Sequence, residues 1–129
     1  MGKTMSHRWS PGATLDGKAH DITEAKLVAF ERVIWTRVAN VHNNPDVAKK
    51  VGMSRIIASG QNQLAFLHQL METHFGDGWT HGGKIATRWI CPVYVGDTIT
   101  PHAAVREVTT QGDRRRVHLD VWCTNQSDV

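Results

Sequence analysis

The apolar positions of this chain change their period part-way along. Between 24 and 36 they recur at helical spacing, and Leu27, Phe30, Val33 and Ile34 form one stripe. Thr23 is a good N-cap for that helix, and Asp21 and Glu24 place negative charge at its start. Residues 18–22 just before it suit a short strand. Residues 37–44 are loop by composition, Pro45 opens a helical turn over 46–50, and Gly52 ends it. A second helix pattern covers 61–75. Leu64, Phe66, Leu67, Leu70, Met71 and Phe75 occupy more than one of its faces, which predicts a buried helix. Gly76, Gly78, Gly82 and Gly83 punctuate its exit.

From 84 onward the period falls to two. Residues 84–91 alternate, with Ile85, Thr87, Trp89 and Cys91 on one face, and predict a strand. Val95-Gly96-Asp97 is a turn. Two longer strands, 98–109 and 114–124, flank a hairpin turn at Gln111-Gly112-Asp113. In the second, Val117, Leu119, Val121 and Cys123 point one way, while His118, Asp120 and Trp122 point the other. Strand, helix, buried helix and antiparallel meander together predict an α+β fold, one antiparallel sheet wrapped around one buried helix. Such a sheet leaves exposed edges, so pairing into a dimer is expected.

The 129 residues suit a single domain, 1–129, with 1–16 as an extended, loosely ordered arm. An apolar share of 40% with 21% charged residues is ordinary for a soluble protein. The net charge of +3 suits an anionic substrate. The basic residues are scattered, and the run Arg114-Arg115-Arg116 reads as a solvated hairpin flank, so nucleic acid is not expected as a partner. No apolar run reaches the roughly 18 residues that span a bilayer. Cys91 and Cys123 sit in apolar strand-like runs and read as buried free thiols in a reducing, cytoplasmic compartment.

Candidate chemistry concentrates between Arg37 and Gly60. His42 ends a helix–loop and has Asn40, Asn43 and Asn44 around it, polar groups able to orient an imidazole. Ser59-Gly60 opens the buried helix, whose first free N–H groups can hold an oxygen as negative charge builds on it. Ser59 reads as an N-cap rather than a nucleophile, because no acid–base pair stands beside it in sequence. Asn40 has two readings, turn chemistry or a ligand for a carbonyl or water. Gln61, Asn62 and Gln63 either line a pocket mouth or solvate the helix end. His68 and His74 do not share a helix face, and no metal-ligand spacing is present.

Several landmarks come in a telling order: Asp21-Ile22-Thr23-Glu24-Ala25; His42-Asn43-Asn44-Pro45 through Ala48-Lys49-Lys50 to Gly52; Ile57-Ala58-Ser59-Gly60; Phe75-Gly76; Gly82-Gly83; and Pro92-Val93-Tyr94-Val95-Gly96-Asp97-Thr98. Over about residues 10–125 the chain resembles the MaoC-like (R)-specific enoyl-CoA hydratases of hot-dog fold. The resemblance implies an acyl-CoA substrate and no cofactor. It also implies reversible addition of water to a trans-2-enoyl thioester, with a homodimer or a heteromer of homologous hot-dog subunits as the assembly. In that family the site resembles Asp-x-Asn-Pro-Ile-His, followed later by a helix-start Gly. The His falls on His42 and the Gly on Gly60.

The Asp position falls on Arg37, the Asn on Ala39, the Pro on Asn40, and the family's helix-start His on Ser59. Arg37, Ser59 and Gln61 are therefore expected beside the substrate rather than as acid–base groups, and Asn40 joins His42 and Gly60 as a catalytic candidate. Asp46 or Glu31 are carboxylates able to replace the missing Asp. The family also continues past Asn125 with a further strand, so the C-terminal strand is expected to be cut short. Two other readings remain open here: an acyl-CoA-binding subunit that needs a partner, and a hot-dog thioesterase. The second expects a carboxylate near the start of the central helix, where this chain has Gln61-Asn62-Gln63. Pocket walls are expected from Trp35, Phe66, Trp79 and Trp89.

Overall fold

The computed structural model describes residues 9–34 and 38–129. Its frame is one long strand. We number elements in chain order: β1 (Thr14–Asp16), β2 (His20–Asp21), α1 (Glu24–Ile34), α2 (Pro45–Lys50), α3 (Gly60–Phe75), α4 (Asp77–Gly82), β3 (Thr98–Gln111) and β4 (Arg114–Thr124). β3 carries Ile99, Pro101, Ala103 and Val105 inward at alternate positions, the period-two pattern of a strand with one buried face. β4 returns antiparallel along one edge, after a tight turn in which Gly112 takes a positive φ of 64°. The chain from Gly12 to Asp21 runs antiparallel along the other edge, through β1 opposite His102–Ala104 and β2 opposite Thr98–Ile99.

α3 lies on the inner face. Leu70 and Met71 pack with Trp9, Leu15, Ala103 and Val105 in one cluster. Ile22, Leu27, Ala48, Ile56, Ala58 and Ile99 form a second cluster beside the α3 N-terminus. Each of the larger aliphatic side chains (Leu, Ile, Met, Val) contributes about 1.5–3 kcal/mol by leaving water. The result is the expected α+β arrangement, a sheet packed on a central helix.

Four expectations need correction. Residues 84–92 are not a strand. They make no ladder among the described residues, and Ile90 is 84% exposed. Alternation sets an extended backbone, but a strand also needs an edge to pair with. Between this strip and β4 lies a cavity of about 970 Å³, whose lining includes Met71, Ile85, Ala86, Val117, Leu119 and Val121. This also leaves Val117, Leu119, Val121 and Cys123 only half-buried.

Cys91 follows the same strip and is exposed rather than buried, while Cys123 is half-buried; both are free thiols. Of the expected loose arm, residues 9–16 are instead packed: Trp9 is buried and stacks on Phe75, and Thr14–Asp16 pair with β3; residues 1–8 lie outside the described residues. The stripe of α1 runs through Leu27 and Glu31, one turn apart, and Val33 points to solvent. α4 was not foreseen, because its glycines read as punctuation. Trp35 and Arg37 lie outside the described residues.

Candidate active site

The loop carrying His42 is held by asparagines. The Asn44 side chain caps α2, with Oδ1 accepting from the N–H groups of Asp46 (3.0 Å) and Val47 (3.2 Å). Asn40 Oδ1 accepts the His42 N–H at 2.7 Å, and Asn43 Oδ1 accepts the Asn40 N–H at 2.7 Å. The Asn40 carbonyl accepts from the N–H groups of Asn43 and Asn44. The Asn40 amide also donates to the Val38 carbonyl (3.2 Å) and to Glu31 Oε2 (3.3 Å). An Asn-rich loop therefore folds by side-chain-to-backbone bonds that replace regular structure.

A second tie fixes the ring. His42 Nδ1 lies 2.9 Å from the Ile57 carbonyl oxygen. A carbonyl only accepts, so Nδ1 carries the hydrogen and the neutral ring keeps its lone pair on Nε2. The Ile57 N–H in turn donates to the Val41 carbonyl, and Ala58 N–H to the Val93 carbonyl. Residues 56–58 are thus clamped between the histidine loop and the 93–95 segment. Three residues beyond Ile57 the chain enters α3.

Ser59 is the N-cap of α3 by position, but its Oγ makes no capping bond and is buried with no partner. The N–H of Asn62 bonds to the Ser59 carbonyl, whereas the Gly60 and Gln61 N–H groups have no acceptor among the described residues. A helix N-terminus with free N–H groups holds partial positive charge. Gly60 is required by packing: a side chain there would collide with the Trp89 indole. Next to it Asn62 and Gln63 are buried, Gln63 Oε1 without a partner, and Gln61 is exposed.

The structure therefore brings His42, Asn40, Ser59 and Gly60 into one neighbourhood through the Ile57 carbonyl. Gln61 stands at its solvent side, and Arg37 lies outside the described residues. Asp46 is exposed at the start of α2. The other pocket candidates divide. Trp89 covers Gly60, Phe66 stacks on His20 with centroids 4.0 Å apart, and Trp79 donates to His68 Nδ1 at 3.1 Å. Sequence reasoning missed the Ile57 carbonyl as the ring's anchor, since a backbone group leaves no trace in composition. It also missed that Glu31 reaches Asn40. A signal was present, a carboxylate four residues after Leu27 on the buried stripe. Among the described residues no three His, Cys, Asp or Glu side chains converge on a metal site, and no helix is long and apolar enough to cross a membrane.

No curated protein matches this chain. Solved structures do. It superposes on a monoamine oxidase regulatory protein from Archaeoglobus fulgius with a TM-score of 0.75 at 22% identity, covering 93% of this chain and 82% of that one. A MaoC-like dehydratase from Rhodospirillum rubrum gives a TM-score of 0.75 at 20% identity, over 95% and 86% of the two chains. The R-hydratase PhaJ1 from Pseudomonas aeruginosa gives 0.72 at 22% identity, over 93% and 74%. These likenesses establish the hot-dog fold. The profile of the MaoC like domain matches residues 8–126, nearly the whole chain, and the protein belongs to that family.

Proposed function

We propose that this protein is an acyl-CoA hydratase/dehydratase that adds water reversibly to a trans-2-enoyl thioester. The observation that carries the reading is the ring of His42, locked by the Ile57 carbonyl with Nε2 left as the basic nitrogen, on the segment that leads three residues later to the Gly60 N–H, which has no acceptor among the described residues. Family membership and the R-hydratase among the similar structures support the same chemistry.

In the proposed step, His42 Nε2 takes a proton from water as the water oxygen bonds to C3 of the enoyl group. The electrons move to the thioester oxygen, where the Gly60 N–H and the α3 N-terminus hold the enolate. The imidazolium then returns its proton to C2. One H and one OH have been added, and His42 is neutral again. Asn40 sets the backbone that carries the ring, and Ser59 Oγ, Gln61 and Arg37 face or flank the acyl-CoA. No cofactor is needed. A homodimer is the proposed assembly.

A second reading is an acyl-CoA-binding subunit completed by a homologous hot-dog partner. It is favoured by Arg37 at the family's Asp position, since Arg cannot accept a proton at neutral pH. A thioesterase is less well supported, because the α3 carboxylate, Glu72, is exposed and lies near the end far from Gly60. The test is the ultraviolet band of the enoyl thioester, followed with crotonyl-CoA and longer trans-2-enoyl-CoAs and the purified protein. Loss of the band without free thiol is the expected result. Thiol release would make it a thioesterase. Binding without change would make it the partner-dependent subunit.

A further inference from the structure

Glu31 is a charged residue where an apolar one is expected. It is 3% exposed and sits on the buried stripe of α1, one turn after Leu27. One carboxylate oxygen, Oε2, accepts a single hydrogen bond, from Asn40 Nδ2 at 3.3 Å. The other, Oε1, is buried with no hydrogen-bond partner among the described residues. No salt bridge to Glu31 exists among the described residues. A buried carboxylate satisfied by one neutral amide lowers stability, and an apolar residue of similar volume would serve the core at least as well.

The Asn40 amide continues the link. Its Oδ1 holds the His42 N–H at 2.7 Å, and its Nδ2 divides between Glu31 and the Val38 carbonyl. Two acceptors, Glu31 Oε2 and the Val38 carbonyl, share Nδ2 and keep Oδ1 aimed at the His42 backbone; Glu31 is the one that ties this amide to helix α1. From there the next tie is the His42 ring to Ile57. Helix α1, the loop and the start of α3 meet through Glu31, Asn40 and His42.

We infer that Glu31 is a positioning residue for His42, acting through Asn40. The inference rests on the reading of His42 as the acid–base group. A loop released by loss of this anchor misplaces the imidazole. A displacement of about 1 Å at a reacting group can lower turnover by about 10²-fold.

The test compares Glu31→Ala, Glu31→Gln and Asn40→Ala. Each is read by thermal melting, by the nitrogen chemical shifts of the His42 imidazole, and by kcat and KM for enoyl-CoA hydration. Glu31→Ala is expected to lower kcat by about 10- to 100-fold with KM within about threefold, and to lose the Nδ1-protonated signature of His42. Glu31→Gln keeps an acceptor for Asn40, so it should recover most of kcat and the His42 signature. It should also melt at or above the parent, because the buried charge is gone. Asn40→Ala removes the link and leaves Glu31 in place, so it should reproduce the His42 change even if Glu31→Ala fails to fold. A folded Glu31→Ala or Asn40→Ala with an unchanged His42 spectrum overturns the inference. So does a Glu31→Gln as damaged as Glu31→Ala. If the parent protein hydrates no enoyl-CoA, the hydratase reading fails, and the spectra and melting curves still decide whether Glu31 positions His42.

Discussion

Residues 38–60 and residues 84–92 are both mostly outside regular structure, yet they are built in opposite ways. The first is polar and tied at nearly every step: Asn40, Asn43 and Asn44 each hold backbone N–H groups, and Ile57 is bonded to Val41 and His42. The second is apolar at alternate positions and has no backbone hydrogen-bond partner among the described residues, so Ile90 is 84% and Trp89 40% exposed. The difference teaches that side-chain hydrogen bonds can fix a loop locally, whereas a strand pattern needs a neighbour to become a strand. The first region presents the candidate chemistry. The second reaches it at one point, where Trp89 lies over Gly60.

The comparison breaks most sharply at His42. The His42→Ala variant is expected to lose about 10²- to 10⁴-fold in enoyl-CoA hydration while keeping the fold, with a loss of about 1 kcal/mol in stability from the broken bond to Ile57. Full activity in that variant would sink the proposed mechanism, and the steady-state assay decides it.

Next comes stability. Ile56 is 2% exposed at the foot of the tied region, and Ile90 is 84% exposed in the strip. Ile56→Ala should destabilise by about 2–5 kcal/mol. Ile90→Ala should stay within about 0.5 kcal/mol. Denaturant unfolding measures both, and a large loss at Ile90 would mean that the strip is covered in solution.

The thiols sharpen the contrast kinetically. Burial pushes the Cys123 thiol up to about 11, so it is almost wholly protonated at neutral pH, while Cys91 is exposed on the strip. A disulfide-exchange reagent should modify one thiol quickly and the other slowly, and Cys91→Ser should remove the fast phase. Equal rates would contradict the burial of Cys123.

The smallest expected effect is at His20, stacked on Phe66 beside the tied region. Burial, helped by the charges of Lys18 and Lys26, holds its pKa below the usual 6.5 despite an opposing hydrogen bond with Gln69. The unfolded chain then binds the proton more readily. This contribution to stability is present above pH 6.5 and is lost as the pH falls through the lower folded value. Melting curves between neutral and mildly acidic pH should show the decline, and His20→Phe should flatten it. An unchanged slope would assign the decline to another group.

Much of the fold was legible in the residues. α3 and the β3–β4 hairpin followed from apolar period and from Gly112, and α2 followed from Pro45 and Gly52. The site was legible in part. His42, Gly60 and the asparagines stood out as chemistry-bearing types at a loop and a helix start. Their meeting did not, because it passes through the Ile57 carbonyl, and every residue has a carbonyl.

Local physics is written in the sequence: helix period, turn and the identity of the acid–base candidate depend on neighbours a few residues apart. Tertiary structure alone decided the rest. It left 84–92 without a ladder, because pairing depends on which edge lies alongside. It buried Glu31 against Asn40, because α1 docks on the side that faces the loop. It set the His42 tautomer, because a carbonyl fifteen residues away accepts the Nδ1 hydrogen. These outcomes are non-local hydrogen bonds, and their partners are chosen by packing rather than by spacing along the chain.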